Sequence, residues 1–184
     1  MIKVISGWGG PGGSTVAFNN LVNLLNEKGR AACLYTPTKW EGVTCRWDAQ
    51  SNLKFSKNDI VIYHFMKFTK RPPVEKIILS CHETQVFPIK KQEDLVYDEI
   101  HFVSKFQKEW QGVEGTVIPN VVQKYPPRNN KFKVKSAGIL GSIDSNKRTH
   151  RSIERAVDDG HKDIRLYGAI TDQSYFNSEV LPLL

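Results

Sequence analysis

Two segments far apart in this chain open in the same way. Met1-Ile-Lys-Val-Ile-Ser-Gly-Trp-Gly-Gly-Pro-Gly-Gly-Ser14 reads as a buried strand, a glycine-rich turn and a helix start. Val117-Ile-Pro-Asn-Val-Val122 leads through a polar stretch to Ala137-Gly-Ile-Leu-Gly-Ser-Ile-Asp-Ser-Asn-Lys147, again a strand, a polar loop and a helix start. Two such openings separated by a linker predict an α/β protein with two nucleotide-fold halves facing a cleft. Ligands of such folds sit outside the carboxyl ends of the strands, where these loops lie.

The intervening pattern fills in the first half. Ser14 is placed as the cap of a helix running to about Lys28, with Phe18, Leu21, Val22 and Leu25 on one face and Gly29 ending it. Ala31 to Tyr35 reads as a second buried strand, completing a β-α-β unit. Pro37 to Lys57 is polar and irregular around Trp40 and Trp47. Apolar runs at 60–65, 76–82, 99–104 and 115–118 predict further strands, with a short helix over 105–111. Near-continuous apolar strands separated by helices or crossover segments predict a parallel sheet covered on its two faces. Residues 123–135, with Pro126-Pro127 and four lysines, read as a solvated linker. Beyond it, 136–140 is a strand and 151–159 a helix with Ile153, Ala156 and Val157 inward. Gly160 stops that helix, 163–167 is a strand and 174–184 a helix. A β-α-β-α piece of about fifty residues is small for an independent domain. It is expected to belong to something larger; without further strands and helices to cover apolar positions such as Ile153, Val157, Leu181 and Leu184, it is expected to self-associate or to be held loosely against the first half.

Composition narrows the function classes. No run of about 18 apolar residues predicts a membrane span, and Ile2 to Ile5 reads as a core strand rather than a secretory signal. Cys33, Cys45 and Cys81 show no CxxC spacing, which argues against a zinc site or disulfide framework and for a cytoplasmic protein. The net charge of +7 suggests attraction to polyanions. The basic residues are dispersed and no nucleic-acid module is visible, so weak peripheral association with a membrane surface is expected in preference to nucleic acid.

Gly7, Gly9 and Gly12 formally match GxGxxG. A dinucleotide site also wants an acid at the end of the second strand, and Thr36-Pro37-Thr38 stands there. That leaves a loop whose backbone can approach an anionic group at a helix start, or a tight turn without a ligand. Trp8 would stack on a sugar or base, or pack the turn. His82, followed by Glu83, ends a strand where it would bond a sugar hydroxyl or serve structure alone; His64 reads as structural. Lys147, with backbone amides near Gly141, would neutralise a diphosphate, or be a solvated lysine. No Asp-x-Asp is present, so a carboxylate-held metal is not implied.

Taken together these residues resemble the two-domain, GT-B type glycosyltransferases, in particular the large retaining group known as group 1 or family 4. Gly9-Gly-Pro-Gly-Gly-Ser14 before an amphipathic helix resembles that family's N-terminal loop, and Ile78-Leu-Ser-Cys-His-Glu83 its strand ending in histidine. Phe102-Val-Ser104, Val117-Ile-Pro-Asn-Val121, Ile139 to Lys147 and Ile164-Arg-Leu-Tyr-Gly168 resemble its later segments in order. Ser142 stands where the family has an arginine, and Val121 where it usually has glycine.

The resemblance implies an acceptor-side Rossmann-like domain over 1–122, a linker over 123–135, and the start of a nucleotide-sugar-binding domain over 136–184. It implies transfer of a sugar from a nucleotide-sugar donor to an acceptor hydroxyl, retaining and without metal or other cofactor. The acceptor would be a glycan, a lipid-linked molecule or a small molecule. Gly9, Gly10, Gly12, Gly13, Gly141 and Lys147 would bind the donor phosphates. Trp8, Ser14 and Glu83 would meet the acceptor, and His82 would orient the reacting sugar. A glycosyltransferase-like module without catalysis is the alternative.

Overall fold

A computed structural model describes residues 1–64, 66–82, 89, 95–122 and 136–184. The chain separates into two compact units, Met1–Tyr125 and Pro126–Leu184. The division falls within the stretch expected to be the linker, 123–135, all of which lies outside the described residues.

The first unit is built on a seven-stranded, wholly parallel sheet, a Rossmann-like α/β arrangement. Its elements are β1 (Ile2–Ser6), α1 (Gly13–Glu27), β2 (Ala32–Thr36), β3 (Trp47–Ala49), β4 (Ile60–His64), β5 (Lys76–Cys81), β6 (Glu99–Phe102), α2 (Lys105–Gln111) and β7 (Thr116–Val117). The spatial order is β3-β2-β1-β4-β5-β6-β7. The chain first winds outward from β1 to β2 and β3. It then returns to the other side of β1 and winds outward through β4 to β7. The reversal between β1 and β4 is the switch point at which open α/β sheets form a crevice.

The alternation of side chains along each strand explains why these sequences are apolar throughout. Val4, Ala32 and Leu34 pack on one face with Phe18 and Val22 of α1. Ile5, Cys33, Tyr35, Val61, Tyr63, Ile77, Leu79 and Phe102 form a second cluster from the other face. Each fully buried side chain of this size contributes about 1.5–3 kcal/mol. Lys3 is a polar exception inside a strand. Its ammonium lies 2.8 Å from a carboxylate oxygen of Asp59 and also donates to the Lys54 carbonyl. Burial alone would raise the pKa of Asp59, but Lys3 and the Ser56 N–H outweigh it and hold the carboxyl below its ordinary value.

Several boundaries differ from expectation. Ser14 does not cap α1. Gly12 is the N-cap in an extended conformation, and Thr15 closes the turn: its hydroxyl accepts from the Gly12 N–H at 2.9 Å and donates back to the Gly10 carbonyl at 2.9 Å. The polar stretch 37–57 contains β3, whose residues pair in parallel with β2 from Leu34↔Trp47 to Thr36↔Ala49. Three residues are too few to display a strand period. Ser104 caps α2 by accepting from the Gln107 N–H, and Gly112 ends it in the left-handed conformation.

The second unit consists of β8 (Ser136–Leu140), α3 (Thr149–Asp158), β9 (Asp163–Tyr167) and α4 (Gln173–Tyr175). Strands β8 and β9 are parallel neighbours. Ile143, Ile153, Tyr175 and Val180 form its core, with Ile139, Ile164 and Leu166 packed against them. Val157, expected inward, is 54% exposed, while Ile153 and Ala156 are buried as the helical stripe expects; Ile153, expected to need further elements to cover it, is already enclosed by Ile143, Tyr175 and Val180. The expected helix over 174–184 is composite: after α4 the backbone widens to a π turn over Phe176–Val180 and tightens to a 3-10 turn over Leu181–Leu183. Pro182 lacks the N–H that a regular helix would use there. No helix among the described residues is long and apolar enough to cross a membrane.

Candidate functional site

The switch point gathers the first group of candidate residues. β1 ends at Ser6, and the Gly7 N–H donates to the carbonyl of His64, the last residue of β4, at 3.0 Å. The glycine-rich loop therefore leaves the sheet from between the two central strands. Trp8, 56% exposed, folds beside Gly10 and Gly12; a Cβ on Gly10 would come within 3.1 Å of the indole Nε1. Gly9 is pressed from the other side. Its carbonyl accepts from the Thr38 hydroxyl at 2.9 Å, and a Cβ there would overlap that hydroxyl. Gly13 opens α1 with free space around its Cα, and Ser14 follows it in the first turn.

The residues at the end of β2 brace this loop. Trp47 Nε1 donates to the Thr36 hydroxyl, and that hydroxyl donates to the Thr38 carbonyl, each at 2.7 Å. These hydroxyls occupy the place where a dinucleotide fold would present an acid to a ribose. They are spent on the protein itself.

His82 follows β5 and sits in an aromatic cluster. Its ring lies 5.0 Å from that of Phe18 and 4.8 Å from that of His64, while Phe18 and His64 are 5.9 Å apart. Ser80 joins the two imidazoles. Its carbonyl accepts from His64 Nδ1 at 3.0 Å, which fixes the proton of His64 on that nitrogen, and its hydroxyl lies 3.1 Å from His82 Nε2. Burial, and then the neighbouring His64, push the pKa of His82 down to about 4. His82 is thus neutral at physiological pH, a hydrogen-bonding group rather than a cation. Glu83 lies outside the described residues.

Beside this cluster is a cavity of about 130 Å³, bounded by α1, the ends of β5 and β6 and the segment 118–121. Ser80, His82, His101 and Asn120 supply its polar groups. His101 and Ser80 are partners in the β5–β6 register, a juxtaposition that sequence spacing does not reveal. Burial lowers the pKa of His101, although Glu99, 3.5 Å from its Nε2, opposes the shift.

The second group of candidates lies in the second unit. Gly141 follows β8 at φ +137, and its N–H donates to the Tyr167 carbonyl at 3.0 Å. Gly168 after β9, at φ +156, presses so closely that a Cβ would overlap the Gly141 carbonyl. Asp144 organises the loop between them. It accepts from the Ser142 hydroxyl at 2.6 Å, the Lys147 N–H at 2.9 Å and the Thr171 hydroxyl at 3.1 Å. The Ser142 hydroxyl, first among these, holds the Asp144 carboxyl below its ordinary pKa. Lys147 is exposed just before α3, and Arg148 between them adopts a left-handed backbone at φ 50.

Among the described residues no three His, Cys, Asp or Glu side chains gather as a metal-holding group. Among the described residues no cysteine is in a disulfide, and burial raises the thiols of Cys33 and Cys45, the latter to about 11. They are packing groups rather than nucleophiles. Thr15, Thr38, Ser80 and His101 were not singled out by sequence reasoning. Only Thr15 carried a local signal, as a hydroxyl three residues beyond a glycine N-cap. The chain matches no family model, and no curated protein is significantly similar to it.

Proposed function

We propose that this chain is part of a glycosyltransferase of the two-domain GT-B type, moving a sugar from a nucleotide-sugar donor to an acceptor hydroxyl. The N-terminal unit would receive the acceptor and the second unit would contribute to binding the donor diphosphate. The observation that carries the reading is the coincidence, at one switch point, of a braced glycine-rich loop and a neutral, strand-end histidine. A loop so held presents backbone N–H groups at a helix start without needing a side-chain charge. A neutral imidazole in a partly dry setting suits a sugar hydroxyl better than a phosphate. The spent hydroxyls of Thr36 and Thr38 weigh against the dinucleotide alternative.

Transfer would draw on electrostatic stabilisation of the leaving diphosphate, with Lys147 and the amides near Gly141 as the groups supplying it. The test is calorimetric titration of the protein with UDP, GDP and ADP against their nucleosides, together with an assay for sugar transfer or hydrolysis. Lys147→Ala is expected to weaken diphosphate binding by about 1.5–3 kcal/mol and nucleoside binding less. Equal losses would remove Lys147 from the phosphate site.

One observation favours a second reading. The serine at the position of the family's arginine is turned onto Asp144 and contributes no positive charge. A binding module that retains the fold without donor chemistry is consistent with this. Acceptor binding with no turnover of any nucleotide sugar would select it.

A further inference from the structure

The cavity beside His82 has properties that narrow what it would hold. Its walls are largely apolar, with Ala17, Phe18 and Leu21 of α1 on one side and Ile118 and Val121 on the other. At about 130 Å³ it approaches the roughly 150 Å³ apolar cavity known to admit one benzene. Among the described residues no lysine or arginine lines it. Lys76, the cation on the neighbouring strand face, is engaged with Glu99 at 2.6 Å.

Two imidazoles supply hydrogen bonds without charge. His82 commits Nε2 to Ser80, and His101 directs Nε2 toward Glu99. Among the described residues the Nδ1 of each ring has no partner. An anion entering here would lose its hydration and meet no countercharge among the described residues, which is costly. A hydroxyl on an apolar body would lose little and regain a hydrogen bond.

We propose that this cavity binds a small uncharged alcohol with an apolar, ring-sized body, and that His82 and His101 recognise its hydroxyl. The inference rests on the acceptor-side reading of the N-terminal unit and gives it a substrate class: the acceptor, or its terminal group, is an apolar alcohol rather than a phosphorylated or carboxylated molecule. His101 becomes a specificity-determining residue.

The test uses the 184-residue chain with no donor present. Amide NMR shifts are followed at neutral pH on titration with phenol, cyclohexanol, benzene and benzoate. Phenol and cyclohexanol are expected to bind in the millimolar range, shifting the amides of Ser80, His82, His101 and Val121, with benzoate at least tenfold weaker. Ala17→Leu, which fills the cavity, is expected to lower phenol affinity at least tenfold. Val121→Phe does the same from the half-buried rim and covers the case in which the α1 variant fails to fold. His101→Leu is expected to erase the preference for phenol over benzene while leaving benzene bound. Equal binding of benzoate and phenol, or phenol binding indifferent to both filling variants, would overturn the proposal. Phenol binding in this cavity, with no turnover of any nucleotide sugar when donors are then supplied, would leave the cavity assignment standing and select the non-catalytic module over the transferase.

Discussion

Leu34 and Leu140 are the same side chain on parallel strands, yet the first is fully buried and the second is 82% exposed. The contrast runs through the two units. β2 lies between two hydrogen-bonded neighbours, and each face of its sheet meets a cluster of side chains, so all five of its residues are buried. Among the described residues β8 has one partner, and its burial alternates: Ala137 and Ile139 turn toward α3, while Gly138 and Leu140 face outward with Arg165 and Tyr167 of β9. Position within the sheet decides what an apolar residue contributes. A strand enclosed on its two faces stabilises through every residue, a strand covered on one face through every second residue.

The largest expected effect tests this contrast directly. Phe102→Ala, in the core of the first unit, is expected to cost about 3–5 kcal/mol. Denaturant unfolding followed by tryptophan fluorescence would report it, since Trp8, Trp40, Trp47 and Trp110 all belong to that unit. Leu140→Ala is expected to change stability by no more than about 0.5 kcal/mol, read by hydrogen exchange of the β8 and β9 amides. A costly Leu140→Ala would break the comparison. It would mean that a second copy or another surface covers that face in solution, and light scattering of the two proteins would show which.

Acid sharpens the comparison, because His82 belongs to the first unit alone. Its folded-state pKa of about 4 lies below the ordinary histidine value of 6.5. Between those values the unfolded chain binds more protons than the folded one, so stability falls as pH drops through this window and is fully present above it. The shift corresponds to roughly 3 kcal/mol. His82→Phe is expected to flatten the dependence of unfolding free energy on pH between about 6.5 and 4. An unchanged slope would take the imidazole out of the dry cluster with Phe18 and His64.

How much of this could be read from the sequence follows the same physics. The central strands were legible because enclosure on two faces demands apolar residues in succession, and Ile60 to His64 or Lys76 to Cys81 have no other plausible state. β3 was not legible, since Trp47-Asp-Ala49 is held by its pairing with β2 and by the indole bond to Thr36, neither of which is a local signal. Ser14 looked like a better cap than Gly12, and tertiary placement of the glycine loop decided otherwise. His82 could be nominated by its position at a strand end. Its neutrality could not, because that depends on Phe18 and His64 arriving from elements distant in sequence. Val157 was misread because the inward stripe of α3 is narrow over a two-stranded sheet.

The loops differ in how they are held. The loop of the second unit is organised from within by Asp144. Asp144→Ala leaves the Ser142 and Thr171 hydroxyls and the Lys147 N–H without their common acceptor, at an expected cost of about 1–2 kcal/mol. Because the carboxyl pKa is lowered in the folded state, its contribution is present above the ordinary carboxylate range. That contribution is lost as pH falls through the folded value. A thermal unfolding midpoint of Asp144→Ala equal to that of the parent across this range would show that the loop does not depend on it.

The glycine-rich loop of the first unit is held from outside, by a residue beyond β2. The Thr38 hydroxyl is exposed and makes a single bond to the Gly9 carbonyl, so the stability at stake is the smallest of the set. Thr38→Val keeps the branched shape and removes only the donor. The expected loss is about 0.5–1 kcal/mol, with the freed carbonyl accepting water. The more telling measurement is local. Faster hydrogen exchange is expected for the amides of Gly9, Gly10, Gly12 and Gly13, while those of β1 keep their protection, because β1 is secured by β2 and β4 independently of Thr38. Exchange unchanged in the loop would mean that the close packing of Trp8 on Gly10 and the Thr15 turn hold it without help. Thr38 would then have no part in shaping the glycine-rich loop, and its hydroxyl would be available to a ligand after all.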